Sequence, residues 1–283
     1  MLDKKIAFIG SGAMGEAMIG GLLRQKLAKS QDLLAADPRE SRLEELKDKY
    51  GIQPYIDNNQ PASQADVVVL SVKPQRLSEV LEGLQGSIPS HALVLSIVAG
   101  AKIKKISKGL KHAAVVRSMP NTPAQISEGI TVWMPSEAVS DEQKEIAAKI
   151  LGAFGDEVLV DDEGYLDMAT ALSGTGPAYV FMFMEALIDA GVHMGFPRHI
   201  SEKLVLKTIR GSVDYYYQAE RHPATLRNQV TSPGGTSAEA LYYLEKAGFR
   251  TAISRAIWAA YQRSLELGKE QEIHIPETNI GAE

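Results

Sequence analysis

An apolar run, Lys5-Ile6-Ala7-Phe8-Ile9, enters Gly10-Ser11-Gly12-Ala13-Met14-Gly15, and a helical pattern follows. A strand, then G-x-G-x-x-G, then a helix is the opening of a dinucleotide-binding βα unit. Gly10 permits the tight turn, Gly12 lets the backbone approach a pyrophosphate, and Gly15 lets the helix pack close to the strand. The helix N-terminus then offers unpaired N–H groups to the phosphates.

The rest of the chain fits an α/β plan. The pattern predicts strands at 5–9, 32–36, 66–72, 92–98, 113–118, 130–134 and 157–161, with helical stretches such as 14–27, 38–50 and 75–85 between them. This alternation builds a doubly wound, mostly parallel sheet with helices on both faces. Ser140-Asp141-Glu142-Gln143 reads as a capping box opening a helix to about Phe154. Beyond Asp161 only helical patterns occur: 163–172, 177–194, 198–219, 223–229, 236–246 and 248–268. The expected division is a dinucleotide-binding domain over 1–162 and an all-helical domain over 163–283. The tail Ile273–Glu283 has little pattern and reads as frayed.

With 283 residues, 45% of them apolar and 23% charged, the chain can bury a real core. A net charge of -5 argues against nonspecific nucleic-acid binding. The absence of cysteine removes disulfides, thiolate metal sites and a cysteine nucleophile. His112, His193, His199, His222 and His274 lack metal-ligand spacing, and His91 reads as a loop residue, so no metal is expected. No secretory pattern opens the chain, and a cytoplasmic location is expected. The nearest approach to a membrane span, Pro177 to Gly195, carries Glu185, Asp189 and His193. Its apolar residues cover nearly every face, from Tyr179, Val180, Phe181, Met182 and Phe183 to Val192. Such a helix must be buried all round, and burial against a second subunit is the expectation.

Three further segments fall where doubly wound folds place their ligands, beyond the C-terminal ends of strands. They are Ser71-Val72-Lys73-Pro74, Val98-Ala99-Gly100 and Ser118-Met119-Pro120-Asn121-Thr122-Pro123. Lys73 ends an apolar strand and so points toward the cleft. Asp37 ends the second strand and can bind a ribose hydroxyl, but Asp37-Pro38-Arg39-Glu40 also reads as a helix N-cap, and that reading is favoured. Arg39 and Arg42 can then hold a 2′-phosphate. In the helical half, Ser173-Gly174-Thr175-Gly176-Pro177 forms a small-residue turn. Thr231-Ser232-Pro233-Gly234-Gly235-Thr236-Ser237-Ala238-Glu239 opens a helix, either as a Thr236/Glu239 capping box or as a carboxylate cradle of N-terminal amides.

Together these segments resemble the pyrroline-5-carboxylate reductase family over nearly the whole chain. The most specific element is LRNQVTSPGGTSAEALYYLE, Leu226 to Glu245, and the order SVKP, RSMPNTP, LSGTGPAY, SPGG is also similar to the family's. The resemblance implies a Rossmann domain, an all-α dimerisation domain, and NAD(P)H-dependent reduction of Δ1-pyrroline-5-carboxylate to L-proline. It implies cofactor contacts from Gly10, Ser11, Gly12, Ala13, Met14 and Gly15, from Asn58, from Ser71, Val72, Lys73 and Pro74, and from Val98, Ala99 and Gly100. Read from the residues rather than from the resemblance, Asp37 and Arg39 are further cofactor candidates at the ribose end, with capping still the favoured role of Asp37. Substrate is implied near Asn121, Glu163, Ser173, Gly174, Thr175, Gly176, Gly235, Thr236 and Ser237. Many members carry Thr where this chain has Ser237; the hydroxyl survives, but the methyl that stiffens its rotamer is gone.

A protonated cyclic imine accepts hydride readily, so the protein mainly has to hold ring and nicotinamide together. Ser237, Thr236 and Lys73 are the candidate catalytic groups, with Ser237 orienting the ring nitrogen or relaying its proton. Both cofactors are expected to work, NADPH being preferred. The expected partner is a second copy of the chain, without nucleic acid or membrane. A β-hydroxyacid dehydrogenase of the same plan would bring a lysine in its helical domain. Lys203, Lys207 and Lys246 are present, but none sits in a glycine-rich motif.

Overall fold

The computed structural model describes residues 1–273, with side chains through Lys269. The expected frayed tail lies outside the described residues. The chain divides into two compact units, Met1–Thr175 with the stretch from Ala260 onward, and Gly176–Ala259.

The first unit opens with strand β1 (Ile6–Ile9), helix α1 (Ala13–Arg24), β2 (Leu33–Ala36), α2 (Glu40–Tyr50), β3 (Gln53–Tyr55), α3 (Asn59–Ala62) and β4 (Val67–Leu70). It continues through α4 (Leu77–Gly83), β5 (Leu93–Ser96), α5 (Ile103–Leu110), β6 (Val115–Met119), β7 (Gly129–Pro135), α6 (Asp141–Leu151), β8 (Gly155–Leu159) and α7 (Gly164–Ala169). Strand order is β3-β2-β1-β4-β5-β6-β7-β8. Every pairing is parallel except β6 with β7. β1, β2, β4 and β5 are buried at every position, as parallel strands covered on both faces must be. Alternate residues feed two cores. Ile6, Phe8, Val67, Val69 and Leu95 pack with Met18, Leu22 and Trp133 on one side. Ala7, Ile9, Val68 and Leu70 pack with Leu77, Leu81 and Ile106 on the other.

The register aligns Ala36, Ile9, Leu70, Ser96 and Arg117 in one row across β2, β1, β4, β5 and β6. The loops that follow these strands therefore emerge at one end of the sheet.

β3 has no counterpart among the sequence-predicted strands. It is three residues long, contains Pro54, and survives as an edge strand because its proline need not donate to a ladder. β8 begins two residues earlier than expected, at Gly155, which pairs with Gly129 at φ +149. The Ser140 capping box forms in both directions: the Gln143 N–H donates to Ser140 Oγ at 3.2 Å, and the Ser140 N–H to Gln143 Oε1 at 3.0 Å.

The compact first unit extends through Thr175. α7 and the π-helical turn Thr170–Gly174 belong to the first unit, where α7 packs against β6 and β7. So does the end of α12 (Phe249–Ile273), from Ala260.

The second unit holds α8 (Gly176–His193), α9 (Arg198–Ala219), α10 (Pro223–Gln229) and α11 (Thr236–Lys246), with the first part of α12. α8 and α9 pair, and the Ser201 hydroxyl donates to the Ile188 carbonyl at 2.8 Å beside Gly191. Gly191 is the only buried residue of α8. Within the single chain Phe181 is 63% and Met182 74% exposed, so the apolar helix is not covered by its own subunit.

Ser140→Ala is expected to lower unfolding free energy by about 1 kcal/mol, the usual loss for a hydroxyl cap. Urea denaturation checks this, and the kinetic constants should stay unchanged because the cap is remote from the loops at the sheet's C-terminal end.

Candidate functional site

The glycine loop is built against β4. Gly10 has φ +86, and a Cβ there would lie 2.9 Å from both the Ser71 carbonyl oxygen and Val72 Cγ1. A Cβ on Gly15 would lie 2.9 Å from the Gly10 carbonyl oxygen. Both glycines are thus required by the protein's own packing. Gly12 differs: a Cβ there meets nothing within 4 Å. No protein atom demands glycine at this position, which fits a backbone left clear for a ligand. Ser71 Oγ donates to the Gly10 carbonyl and to the Ile9 carbonyl, the latter at 3.3 Å, tying the loops after β1 and β4 together.

The Ser11 peptide is held from two sides. Its N–H donates to Asp37 Oδ2 at 3.2 Å, and its carbonyl accepts from Arg42 Nε at 2.8 Å. Asp37 is 4% exposed and is not the N-cap of α2; Arg39 holds that position. The Asp37 carboxylate instead accepts the Arg39 backbone N–H at 3.1 Å, Arg39 Nε at 2.9 Å and a terminal Arg39 nitrogen at 3.2 Å. A short carboxylate near its own chain closes such a turn two residues on, and α2 starts only after it. Burial pushes Asp37 up, but the Arg39 guanidinium and the Arg39 and Ser11 N–H groups outweigh it and hold it below the usual carboxylate range.

Arg42 is likewise committed. It donates to Ser11, to Glu16 and, at 3.0 Å, to Glu45. Glu16 also accepts from Lys49 at 2.8 Å and from the Tyr50 hydroxyl at 3.2 Å. Burial raises Glu16, yet hydrogen bonds from Lys49 and Arg42 prevail and bring it down to about 2. Arg39, by contrast, is 63% exposed in its side chain and has Asp37 as its sole ion-pair partner among the described residues.

The remaining first-unit candidates have different surroundings. Lys73 is exposed and makes no ion pair among the described residues. The Asn58 side chain, half-buried at the start of α3, makes no hydrogen bond within the described chain. Gly100 (φ +72) faces α12, and a Cβ there would lie 3.2 Å from the Gly268 nitrogen. Asn121 is buried, and its Oδ1 accepts the Ile130 N–H at 3.0 Å, which leaves its amide NH₂. Ser173 Oγ and Thr175 Oγ1 donate to the carbonyls of Ala169 and Thr170, at 3.0 and 2.8 Å. Gly174 makes room for Met119, whose terminal methyl would be 2.6 Å from a Cβ there.

Glu163 is not free. Its Oε1 accepts the Ile103 N–H at 2.8 Å and pairs with Arg117 at 3.1 Å. Arg117, 3% exposed, also pairs with Asp167 at 3.0 Å, and Ser264 Oγ donates to Asp167 at 2.9 Å. Sequence reasoning missed Arg117, Asp167 and Ser264. The available signal was a lone arginine inside the apolar run Val115-Val116-Arg117, the same signal that singled out Lys73.

In the second unit Gly235, not Thr236, is the N-cap of α11, so the Thr236/Glu239 capping box does not form. The Glu239 N–H bonds to the Gly235 carbonyl at 3.2 Å. The N–H groups of Thr236, Ser237 and Ala238 are left without carbonyl partners among the described residues, as are the Thr236 and Ser237 hydroxyls. This turn presents an open row of donors suited to a carboxylate.

Fold and loop define a dinucleotide-binding α/β protein with a helical second unit. Residues 163–267 match the pyrroline-5-carboxylate reductase dimerisation family, and residues 5–100 match the family described as NADP oxidoreductase, coenzyme F420-dependent. The pyrroline-5-carboxylate reductase of Synechocystis sp. is 40% identical over 266 residues, covering 94% of this chain and 99% of the relative. That of Escherichia coli is 35% identical over 269 residues, covering 95% and 100%. A Plasmodium falciparum pyrroline carboxylate reductase structure with NADP bound superposes with a TM-score of 0.86 at 32% identity, covering 95% of this chain and 99% of that one. The chain belongs to the pyrroline-5-carboxylate reductase family.

The dimerisation match includes the whole of α8. The run Gly164–His193 is long and apolar enough to cross a membrane by length and composition. Its place in a dimerisation region makes protein the cover for this apolar surface, and oligomerisation runs through the helical domain.

Glu16 contributes stability that is fully present above its unfolded value of 4.5 and is lost as pH falls through about 2. The melting temperature of the wild type should therefore drop over that acid window. Glu16→Gln should start lower at neutral pH and show a flatter acid limb; an unchanged limb would detach Glu16 from loop stability.

Proposed function

We propose that the protein reduces Δ1-pyrroline-5-carboxylate to L-proline with NADPH or NADH, NADPH being preferred. The observation that carries this is the match to pyrroline-5-carboxylate reductases along 94% and 95% of the chain. When bound, the nicotinamide supplies the hydride. The residues fit the dinucleotide: Gly12 is clear on its outer side, the loop is preformed by Gly10, Gly15 and Ser71, and the Asn58 and Lys73 side chains have no polar partner among the described residues. Ser11, Ala13, Met14, Val72, Pro74, Val98, Ala99 and Gly100 complete the cofactor's proposed contacts.

The substrate carboxylate is assigned to the amides of Thr236 and Ser237 at the start of α11, with Gly235 alongside as the N-cap, its own N–H held by the Ser232 carbonyl at 3.0 Å. The Ser237 hydroxyl orients the ring nitrogen or relays its proton. Asn121, through its spare NH₂, and the turn Ser173–Gly176 are further substrate contacts. The active form is a homo-oligomer built from dimers through the helical domain, in the cytoplasm. Assay of the purified protein with pyrroline-5-carboxylate, following loss of nicotinamide absorbance, tests the activity.

Ser237→Ala should lower kcat/KM for the imine by about 10- to 150-fold, the worth of one hydrogen bond to a charged group. KM for the cofactor should stay near the wild-type value, and equal kcat/KM for both proteins would remove Ser237 from the mechanism.

The two arginines should separate by role. Arg39 can turn from Asp37 to a 2′-phosphate, because its own guanidinium is largely exposed and two backbone N–H groups still satisfy Asp37. Arg39→Ala should raise KM for NADPH while leaving that for NADH nearly unchanged. Arg42→Ala should raise both, since Arg42 holds the Ser11 carbonyl and Glu16. Steady-state kinetics with each cofactor distinguishes these outcomes.

A further inference from the structure

Resting on that reading, we infer that Glu163, Asp167 and Ser264 form, around the buried Arg117, a positioning cluster that sets the Val98–Gly100 loop. Glu163 acts within it rather than by touching substrate.

Two routes lead from Arg117 to this loop. In the first, Arg117 pairs with Glu163, and the same Glu163 oxygen accepts the Ile103 N–H. Ile103 is the first residue of α5, whose N-cap Lys102 makes no side-chain cap bond. Glu163 therefore supplies from 60 residues away the cap that the local sequence lacks. In the second route, Arg117 pairs with Asp167, and Asp167 accepts the Ser264 hydroxyl of α12. One helical turn on, Leu267 and Gly268 lie against Gly100, with the Gly268 nitrogen 3.2 Å from where a Cβ would stand. The loop is thus held at its downstream end by Glu163 and along its side by α12.

The placement makes this cluster functional as well as structural. Arg117 occupies the last aligned row of the sheet, level with Ile9, Leu70 and Ser96. A guanidinium suits the position because its planar fork can meet two carboxylates at once. Its removal would leave Glu163 and Asp167 close together without a countercharge. Arg117→Met is therefore a poor test, since misfolding would hide the effect.

Glu163→Ala, Glu163→Gln and Ser264→Ala are better probes in the full-length protein. The readouts are hydrogen exchange over residues 98–103, affinity for ADP-ribose, and kinetics. Glu163→Ala should speed exchange in this segment and lower kcat about five- to tenfold, the effect of one lost hydrogen bond on a reacting geometry. ADP-ribose affinity should stay within about twofold of wild type, because the Ser11 loop and Asp37 are not altered. Glu163→Gln keeps an oxygen for the Ile103 N–H and should recover most of the exchange protection and of kcat. Ser264→Ala should show the same pattern as Glu163→Ala, more weakly.

A Glu163→Gln variant with wild-type exchange but a raised KM for the imine would overturn the inference and return Glu163 to the substrate. So would Glu163→Ala with exchange and kcat unchanged, or with ADP-ribose affinity lost in step with kcat. Absence of imine reduction by the wild type refutes the functional reading instead, and the exchange and ADP-ribose measurements still report on the cluster.

Discussion

Parallel pairing in one register aligns the ends of four strands, Ala36, Ile9, Leu70 and Ser96, with Arg117 near the end of a fifth. Everything functional in the first unit depends on that alignment. Because the strands are parallel, each must be followed by a return path, and the ligand-facing loops collect at a single end. The apolar side chains that specify the sheet say only that it is buried on both faces. The register then decides that the Gly10 turn meets Ser71 and that Arg117 ends level with Ser96.

Buried charge is used at both ends of this row, and in each case to hold backbone. Asp37 takes the Ser11 N–H, and Arg42 takes the Ser11 carbonyl. Arg117 reaches the Ile103 N–H through Glu163. A buried carboxylate without partners would be costly, but each is satisfied by a guanidinium and by at least one N–H or hydroxyl. The loops are thereby preorganised, so ligand binding need not meet the full entropy of ordering them. Arg42 and Glu163, both candidate ligand groups in the sequence, also make these backbone contacts.

The second unit follows a different logic. α8 is apolar on nearly all sides, yet Gly191 is its only residue buried within the chain. A lone subunit would expose a patch far beyond the ordinary, including Phe181, Met182 and Phe183. Its match to a dimerisation family accounts for this surface, which lies in the domain through which the chain oligomerises.

Much of this was legible in sequence because it rests on local rules. The strand, G-x-G-x-x-G and helix order placed β1 and α1. Continuous apolar runs marked the central strands, and Ser140 with Gln143 marked the start of α6. Period and all-round apolarity marked α8 as an interface helix. The resemblance in SPGGTS pointed to the α11 turn, where the amides and hydroxyls do lie open. What sequence could not reveal depends on partners distant along the chain. Asp37-Pro38-Arg39-Glu40 has the composition of a cap, but the Asp37 carboxylate closes a turn on Arg39 and also takes the N–H of Ser11, brought alongside by the β1–β2 pairing. β3 is too short and too polar to show a period, and exists only because β2 offers an edge. Lys102 gives α5 no cap, and the cap comes from Glu163 after the chain has completed three more strands. Periodicity and capping are set within a few residues and can be read directly. Ion pairs between strand ends and remote helices exist only once the parallel register has brought those ends together.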